Sequence, residues 1–466
     1  SRRRHTRYPL VTGVQTCALP ICAQPSGSSF GSEMAVMRAS GMPITFLMCS
    51  HPIIPVPIMP MRRSPMTTKV TAHLRGGTAA TTLAGVVAGA TRHIGGHMAI
   101  VDLLESGLGL LKSESDITPA WVEGVLRGSG HLEDGVTVTG VTTERIGEGV
   151  GILSILQRII PAYSGATAKG PKSLVVKYPT DDPTQRFTAD ALVLYIRELV
   201  FYRDCAGDAP FGTAKCYAQA IAGDNTDFTI AMEDIGHLRG LNQLDGVTLD
   251  EAKTLLRTLA DFHAMWWGSP KLEGFSATFQ PLANPTYNAV LPMLWTAGWP
   301  NVEEHAGHLI PESVREIGGI WAGKVPWMLD NLMTPTTMCH GDYRADNLMF
   351  NGDRPTVIDF QLIGTGSGMY DVGYFISQSI ATDVRRGHDR ELVDVYLDRI
   401  ESHGITIDRA EAWRQYLICI CFCVTYGVTT FGGYTEQNER GQTLLKDMLL
   451  RALHCVADNQ ALQTIK

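Results

Sequence analysis

From about residue 98 onward the apolar and polar positions change period several times, and each change predicts an element. Val101, Leu103, Leu104, Leu108 and Leu111 recur at helical spacing and predict a first helix over 100–111. Thr118-Pro119-Ala120-Trp121 reads as an N-cap followed by proline at the first helical position, with Val122, Val125 and Leu126 continuing the apolar face. Apolar residues then alternate with threonine over 136–141, and a second apolar run spans 152–159. Between them lies Gly147-Glu148-Gly149-Val150-Gly151, so the unit reads as strand, glycine turn, strand. A third strand over 171–178 ends in Lys177-Tyr178, a lone lysine in an apolar run. A helix over 187–204 places Glu198 among apolar positions, three and four residues from Tyr195 and Tyr202. Strands are predicted over 214–219 and 227–232, then a helix from Leu249 through Leu255, Leu256, Leu259, Phe262, His263 and Trp266. Residues 268–335 are the least regular part, with Trp295, Trp299, Trp321 and Trp327 among several prolines. Helices over 389–403, 409–429 and 443–458, almost free of Pro and Gly, close the chain.

Upstream of residue 98 no such periodicity exists. The chain opens Ser-Arg-Arg-Arg-His without a sensible cap, and this start resembles translated adapter read-through. Residues 22–97 are rich in Gly, Ala, Thr, Met and Pro, so 1–97 are expected to be a sequencing artefact or a disordered extension, with Met98 a plausible start. The most apolar stretch, 44–61, carries Pro52, Pro55, Pro57 and Pro60, which no spanning helix would tolerate; no membrane span is expected.

Charge sharpens the division. Residues 1–115 hold 11 of the 39 basic and 4 of the 47 acidic side chains, leaving a body with 28 against 43 and a net charge near −15. An acidic body disfavours nucleic acid as the partner. Cys419, Cys421 and Cys423 sit in an apolar run without a CxxC pattern and read as buried free thiols of a cytoplasmic protein.

The candidate chemistry lies in Met338-Cys339-His340-Gly341-Asp342-Tyr343-Arg344-Ala345-Asp346-Asn347, followed by Val357-Ile358-Asp359-Phe360. An acid and an amide five positions apart on a loop can share a cleft, and a second acid at the end of the next strand can meet them. That set suits a magnesium-nucleotide site, with Asp342 near an acceptor hydroxyl and Asn347 and Asp359 on the metal. His340 reads as a brace for the loop backbone, and Arg344 as a contact to the acceptor or a brace for Asp359.

His340-Gly341-Asp342 with Asn347, then Ile358-Asp359-Phe360, resembles the signature of the aminoglycoside phosphotransferase-like kinases, nearest the choline/ethanolamine-kinase-like and ecdysteroid-kinase-like (CHK kinase-like) branch. The resemblance covers roughly 117–455. It implies an α+β, bilobal protein-kinase-like fold: a small lobe of antiparallel sheet plus helix over 98–235, which binds ATP, and a large, mostly helical lobe over 236–466. It further implies that Gly147, Gly149 and Gly151 cover the phosphates and that Lys177, held by Glu198, contacts them. Met232, Glu233, Asp234 and Ile235 would join the lobes and meet the adenine edge through backbone atoms, and 268–335 would form the acceptor pocket. Asp371, in Tyr370-Asp371-Val372-Gly373, is expected as a buried capping acid tied to the Asp342 loop, and His263 as a structural histidine.

The expected activity is transfer of the γ-phosphate of ATP, with Mg²⁺, to a hydroxyl of a small molecule. Two other readings compete. A nucleotide-binding regulatory pseudokinase would bind ATP without turnover. A protein kinase would need an activation segment closing in Ala-Pro-Glu, which is not found after Asp359.

Overall fold

The computed structural model describes residues 99–147, 154–165, 169–223, 225–432 and 439–466. The expectations for residues 1–97 lie outside them. The architecture is bilobal and α+β.

A six-stranded sheet organises the smaller lobe. Its strands are β1 (Val101–Asp102), β2 (Val138–Ile146), β3 (Ser154–Tyr163), β4 (Leu174–Pro179), β5 (Cys216–Ile221) and β6 (Phe228–Glu233), in the order β1-β5-β6-β4-β3-β2. All neighbours are antiparallel except β1 and β5. The period-2 pleat of β4 decides where Lys177 goes. Leu174, Val176 and Tyr178 share one face and pack with Trp121, Val122 and Val125 of helix α1 (Pro119–Gly128). Val175 and Lys177 take the opposite face, where Val175 packs with Leu156 of β3.

The first predicted helix, over 100–111, does not form. Val101 and Asp102 pair with Ala218 and Gln219 as β1 instead, and Gly107 and Gly109 follow at φ +77° and +75°. The Asp102 carboxylate accepts from the amides of Leu104 and Glu105, an Asx-type turn that competes with helix. The helix expected over 187–204 is two pieces, α2 (Pro183–Ala191) and α3 (Leu194–Asp204), with Val193 left-handed at φ 55° between them.

The larger lobe is built on α4 (Leu249–Trp266), which starts with a capping box of Thr248 and Glu251. The segment that looked irregular contains two long helices, α5 (Pro285–Ala306) and α6 (Ile317–Asn331), with Pro292, Pro300 and Pro326 inside them. Prolines masked the helical period. The indoles hold these helices: Trp295 stacks on Trp321 at 4.3 Å between ring centroids and on Trp299 at 5.2 Å. All three are buried, so they are core and not the wall of an open pocket, whereas Trp327 is 40% exposed.

Short strands then carry the candidate residues: β7 (Arg239–Gly240), β8 (Thr336–Cys339), β9 (Leu348–Asn351), β10 (Arg354–Val357) and β11 (Gly364–Ser367), in sheets ordered β10-β9-β7 and β11-β8. Helices α7 (Met369–Ser379), α8 (Thr382–Arg385), α9 (Asp389–Ser402), α10 (Arg409–Gly432), α11 (Glu439–Asp458) and α12 (Leu462–Ile465) complete the lobe. Every residue of α7 is buried. Cys419, Cys421 and Cys423 lie on α10 as buried free thiols. Among the described residues no helix is long and apolar enough to cross a membrane.

Candidate active site

The site forms where β8 hands the chain to residues 340–347. Gly341 turns it at φ +85°, and a Cβ built there would lie 2.2 Å from the Leu362 carbonyl oxygen, so only glycine fits. His340 accepts from the Asp342 N–H at Nδ1 (3.2 Å) and donates from Nε2 to the Ile358 carbonyl (3.1 Å). One imidazole thereby ties the loop to the strand end that carries Asp359; its burial disfavours the charged form and lowers its pKa. The Ile358 N–H also donates to the Asn347 carbonyl (3.1 Å). Asp342, Asn347 and Asp359 therefore share one buried neighbourhood.

Asp342 receives three side-chain hydrogen bonds. Arg344 Nε (3.0 Å) and the Tyr374 hydroxyl (2.8 Å) donate to Oδ1, and Asn347 Nδ2 (2.9 Å) donates to Oδ2. Burial, with the Asp359 charge adding, pushes the carboxyl up to about 7 against the pull of those donors. Arg344 also reaches Asp346 Oδ2 at 3.4 Å. The Tyr374 contact was not read from the sequence. Its signal was there: Tyr374 follows Asp371 by three, one helical step along the same face.

Asp371 lies in the first turn of α7, but it does not cap that helix. Its oxygens accept from the amides of His340 (2.6 Å) and Gly341 (2.9 Å) and meet His263 Nε2 (3.1 Å). His263 reaches the Tyr396 hydroxyl with its other nitrogen (2.9 Å). Ser379, at the end of α7, accepts from the Ala345 N–H (3.0 Å).

Lys177 enters from β4, fully buried. Its Nζ lies 2.7 Å from Glu198 Oε2 on α3 and 3.4 Å from Asp359 Oδ1. Burial opposes the ammonium, but Asp359 and Glu198 outweigh it and hold the lysine above its ordinary value. Burial, reinforced by Asp359, raises Glu198 despite the lysine. Asp359 adopts φ 64°, a left-handed backbone unusual for a side-chain-bearing residue. Among the described residues, the buried Asp342, Asp359 and Glu198 and the half-buried Asp346 pair with Lys177 and Arg344, an excess of acidic groups over basic ones. Asn347 Oδ1 and Asp359 Oδ2 are buried acceptors without a hydrogen-bond partner. Oxygen donors and surplus negative charge are what a hard divalent cation such as Mg²⁺ takes.

Beside this charge lies an open cleft of about 430 Å³, counted out to solvent. Leu156, Val175, Ala214, Met232, Ile235 and Ile358 wall it, with Glu198 and Asp359 at its lining too. Met232 and Glu233 end β6. The Glu233 N–H is already bonded to the Lys215 carbonyl (2.8 Å). Asp234 accepts from Arg158 Nε (2.7 Å), Ser173 Oγ (2.7 Å) and the Gly236 N–H (2.9 Å), and these hold its carboxyl below the ordinary range although burial works the other way. Its side chain thus pins the connection to β3 and the start of β4. Gly147 ends β2 at φ +74°, whereas Gly149 and Gly151 lie outside the described residues.

Residues 188–413 match the model of the phosphotransferase enzyme family. That span includes Glu198, 232–235, the 340–347 loop, Asp359, Asp371 and Tyr374; Lys177 and Gly147 precede it. Among solved structures, the chain is similar to a choline kinase from Cryptosporidium parvum, at 10% identity over 70% of this chain and 88% of that one, with a TM-score of 0.42. It is also similar to a choline/ethanolamine kinase family protein from Mesorhizobium loti, at 15% identity over 69% and 94%, with a TM-score of 0.40. An ethanolamine kinase from Plasmodium vivax matches at 14% identity over 69% and 84%, with a TM-score of 0.39. A search of the curated proteins finds no match.

Proposed function

We propose that the chain is a small-molecule kinase of the aminoglycoside phosphotransferase- and choline-kinase-like kind, nearest the choline/ethanolamine-kinase-like branch, and that it transfers the γ-phosphoryl group of ATP to a hydroxyl of a small molecule; the match of residues 188–413 to the phosphotransferase enzyme family supports this. The observation that carries the reading is the meeting of Asp342 and Asn347 with Asp359 and the Lys177–Glu198 pair, with two buried acceptor oxygens left unpartnered.

In this reading the base lies in the apolar cleft against Met232 and Ile235, and the phosphates extend toward Lys177 beside Gly147 at the end of β2. Lys177 holds the phosphates, and Glu198 holds Lys177. Asn347 and Asp359 would hold Mg²⁺, which would neutralise charge on the phosphate oxygens. Asp342 orients the acceptor hydroxyl and receives its proton as the acceptor oxygen bonds to the γ-phosphorus and the bond to the ADP oxygen breaks. His340, Arg344 and Asp371 keep the loop in shape. Most of the acceleration then comes from position and fixed charge.

The test is ATP consumption with Mg²⁺ across a panel of hydroxyl compounds, beside Asp342→Ala. An acceptor that is phosphorylated, with kcat falling by about 10²- to 10⁴-fold in the variant, is the expected result. Tight nucleotide binding without turnover across the panel would instead favour a regulatory binding protein.

A further inference from the structure

We propose that Tyr374 is a positioning residue for phosphoryl transfer: its hydroxyl fixes the rotation of the Asp342 carboxylate so that Oδ2 is presented to the acceptor hydroxyl. The inference rests on the phosphotransfer reading above and extends it to a residue outside the loop and the phosphate contacts.

Helix α7 grips the 340–347 loop at three points. Asp371 takes the amides of His340 and Gly341, and Ser379 takes the amide of Ala345. Those bonds hold backbone. Tyr374 lies between them and reaches the carboxylate itself, 2.8 Å from Oδ1. An ionised carboxylate has room for about four hydrogen bonds. Tyr374 and Arg344 share Oδ1, and Asn347 takes one position on Oδ2. Donors crowded on one oxygen turn the other toward Asn347, the proposed metal side of the site.

The phenol is itself held from behind. Its ring packs on Tyr426 at 4.8 Å between centroids and on Tyr370 at 6.4 Å, and the Tyr370 and Tyr426 hydroxyls meet each other. Ring packing is therefore separable from the hydroxyl. Arg344 is two residues from Asp342 and shares its loop. Tyr374 is anchored on a fully buried helix and gives the carboxylate an external reference.

The experiment is Tyr374→Phe in the full chain, with kcat, KM for ATP and Mg-ATP affinity measured with the acceptor found in the panel. The expected result is a kcat lower by about tenfold to a hundredfold, the effect of losing one donor to a charged group, with KM for ATP and nucleotide affinity within about twofold of wild type. Tyr374→Leu, which removes the ring as well, is expected to lower the unfolding midpoint, whereas Tyr374→Phe leaves it near that of wild type. A kcat within twofold of wild type in Tyr374→Phe would overturn the proposal, as would kcat, nucleotide affinity and unfolding midpoint falling together. If the wild-type chain phosphorylates nothing, or if Asp342→Ala turns over as wild type does, the phosphotransfer reading fails and the role of Tyr374 falls with it, a result distinct from an active wild type with an unaffected variant.

Discussion

Gly341, Asp342 and Asp359 serve the site for different physical reasons. Asp342 and Asp359 announce themselves by chemistry. Gly341 is needed for shape: the turn at φ +85° sets its α-carbon against the Leu362 carbonyl. Gly341→Ala should therefore cost both the left-handed strain, about 1–3 kcal/mol, and a displacement of the Leu362 segment two residues beyond Phe360. The expected outcome is an unfolding midpoint lowered by several degrees together with loss of turnover. A variant with wild-type stability and kcat would show that the loop can reroute. What could not be read from the chain was who holds Asp342. Arg344 was visible as a neighbour in sequence, whereas Tyr374 lies 32 residues away, and its hydroxyl arrives only because α7 packs beneath the loop.

Among the elements, the best-read ones have one apolar face and an unambiguous period. Helix α4 is of this kind, whereas β4 is a short apolar run buried on both faces and marked by its lone lysine. Where local chemistry competed with period, the reading slipped. An Asx turn at Asp102 replaced a helix, left-handed Val193 broke another, and prolines hid α5 and α6. The connection after β6 shows a further limit. Its backbone was expected to matter and its side chains were not, yet Asp234 joins Arg158 of β3, Ser173 beside β4 and the Gly236 amide. Because its folded pKa is depressed, the stability it contributes is present above the ordinary carboxylate pKa of about 4 and is lost as pH falls through the lower folded value. Wild type should therefore be more stable than Asp234→Asn at pH about 6, with the difference shrinking toward pH about 3. Thermal unfolding of both proteins across that range checks it. A difference that stays constant, or grows in acid, would contradict the assignment.

At the scale of the whole molecule, the chemistry depends on pieces brought from far apart. Lys177 and Asp359 are 182 positions apart in the chain and meet within 3.4 Å. Order along the sequence suggested such a meeting; only the packing of sheet against helices supplies the distance. The feature with the widest consequence is α7, buried along its whole length and bonded to three loop amides. Surface loops ordinarily trade their amide protons with solvent quickly, since opening them costs little. Here the amides of His340, Gly341 and Ala345 can be released only by parting the loop from a buried helix. In hydrogen–deuterium exchange they should be among the slowest in the protein, comparable with β4, whether or not nucleotide is present. Exchange at the rate of an open turn would mean that α7 lets go of the loop far more often than it unfolds. On the slow outcome, the segment that carries the chemistry behaves as core: it is finished when the fold is finished, and ligands find it already built.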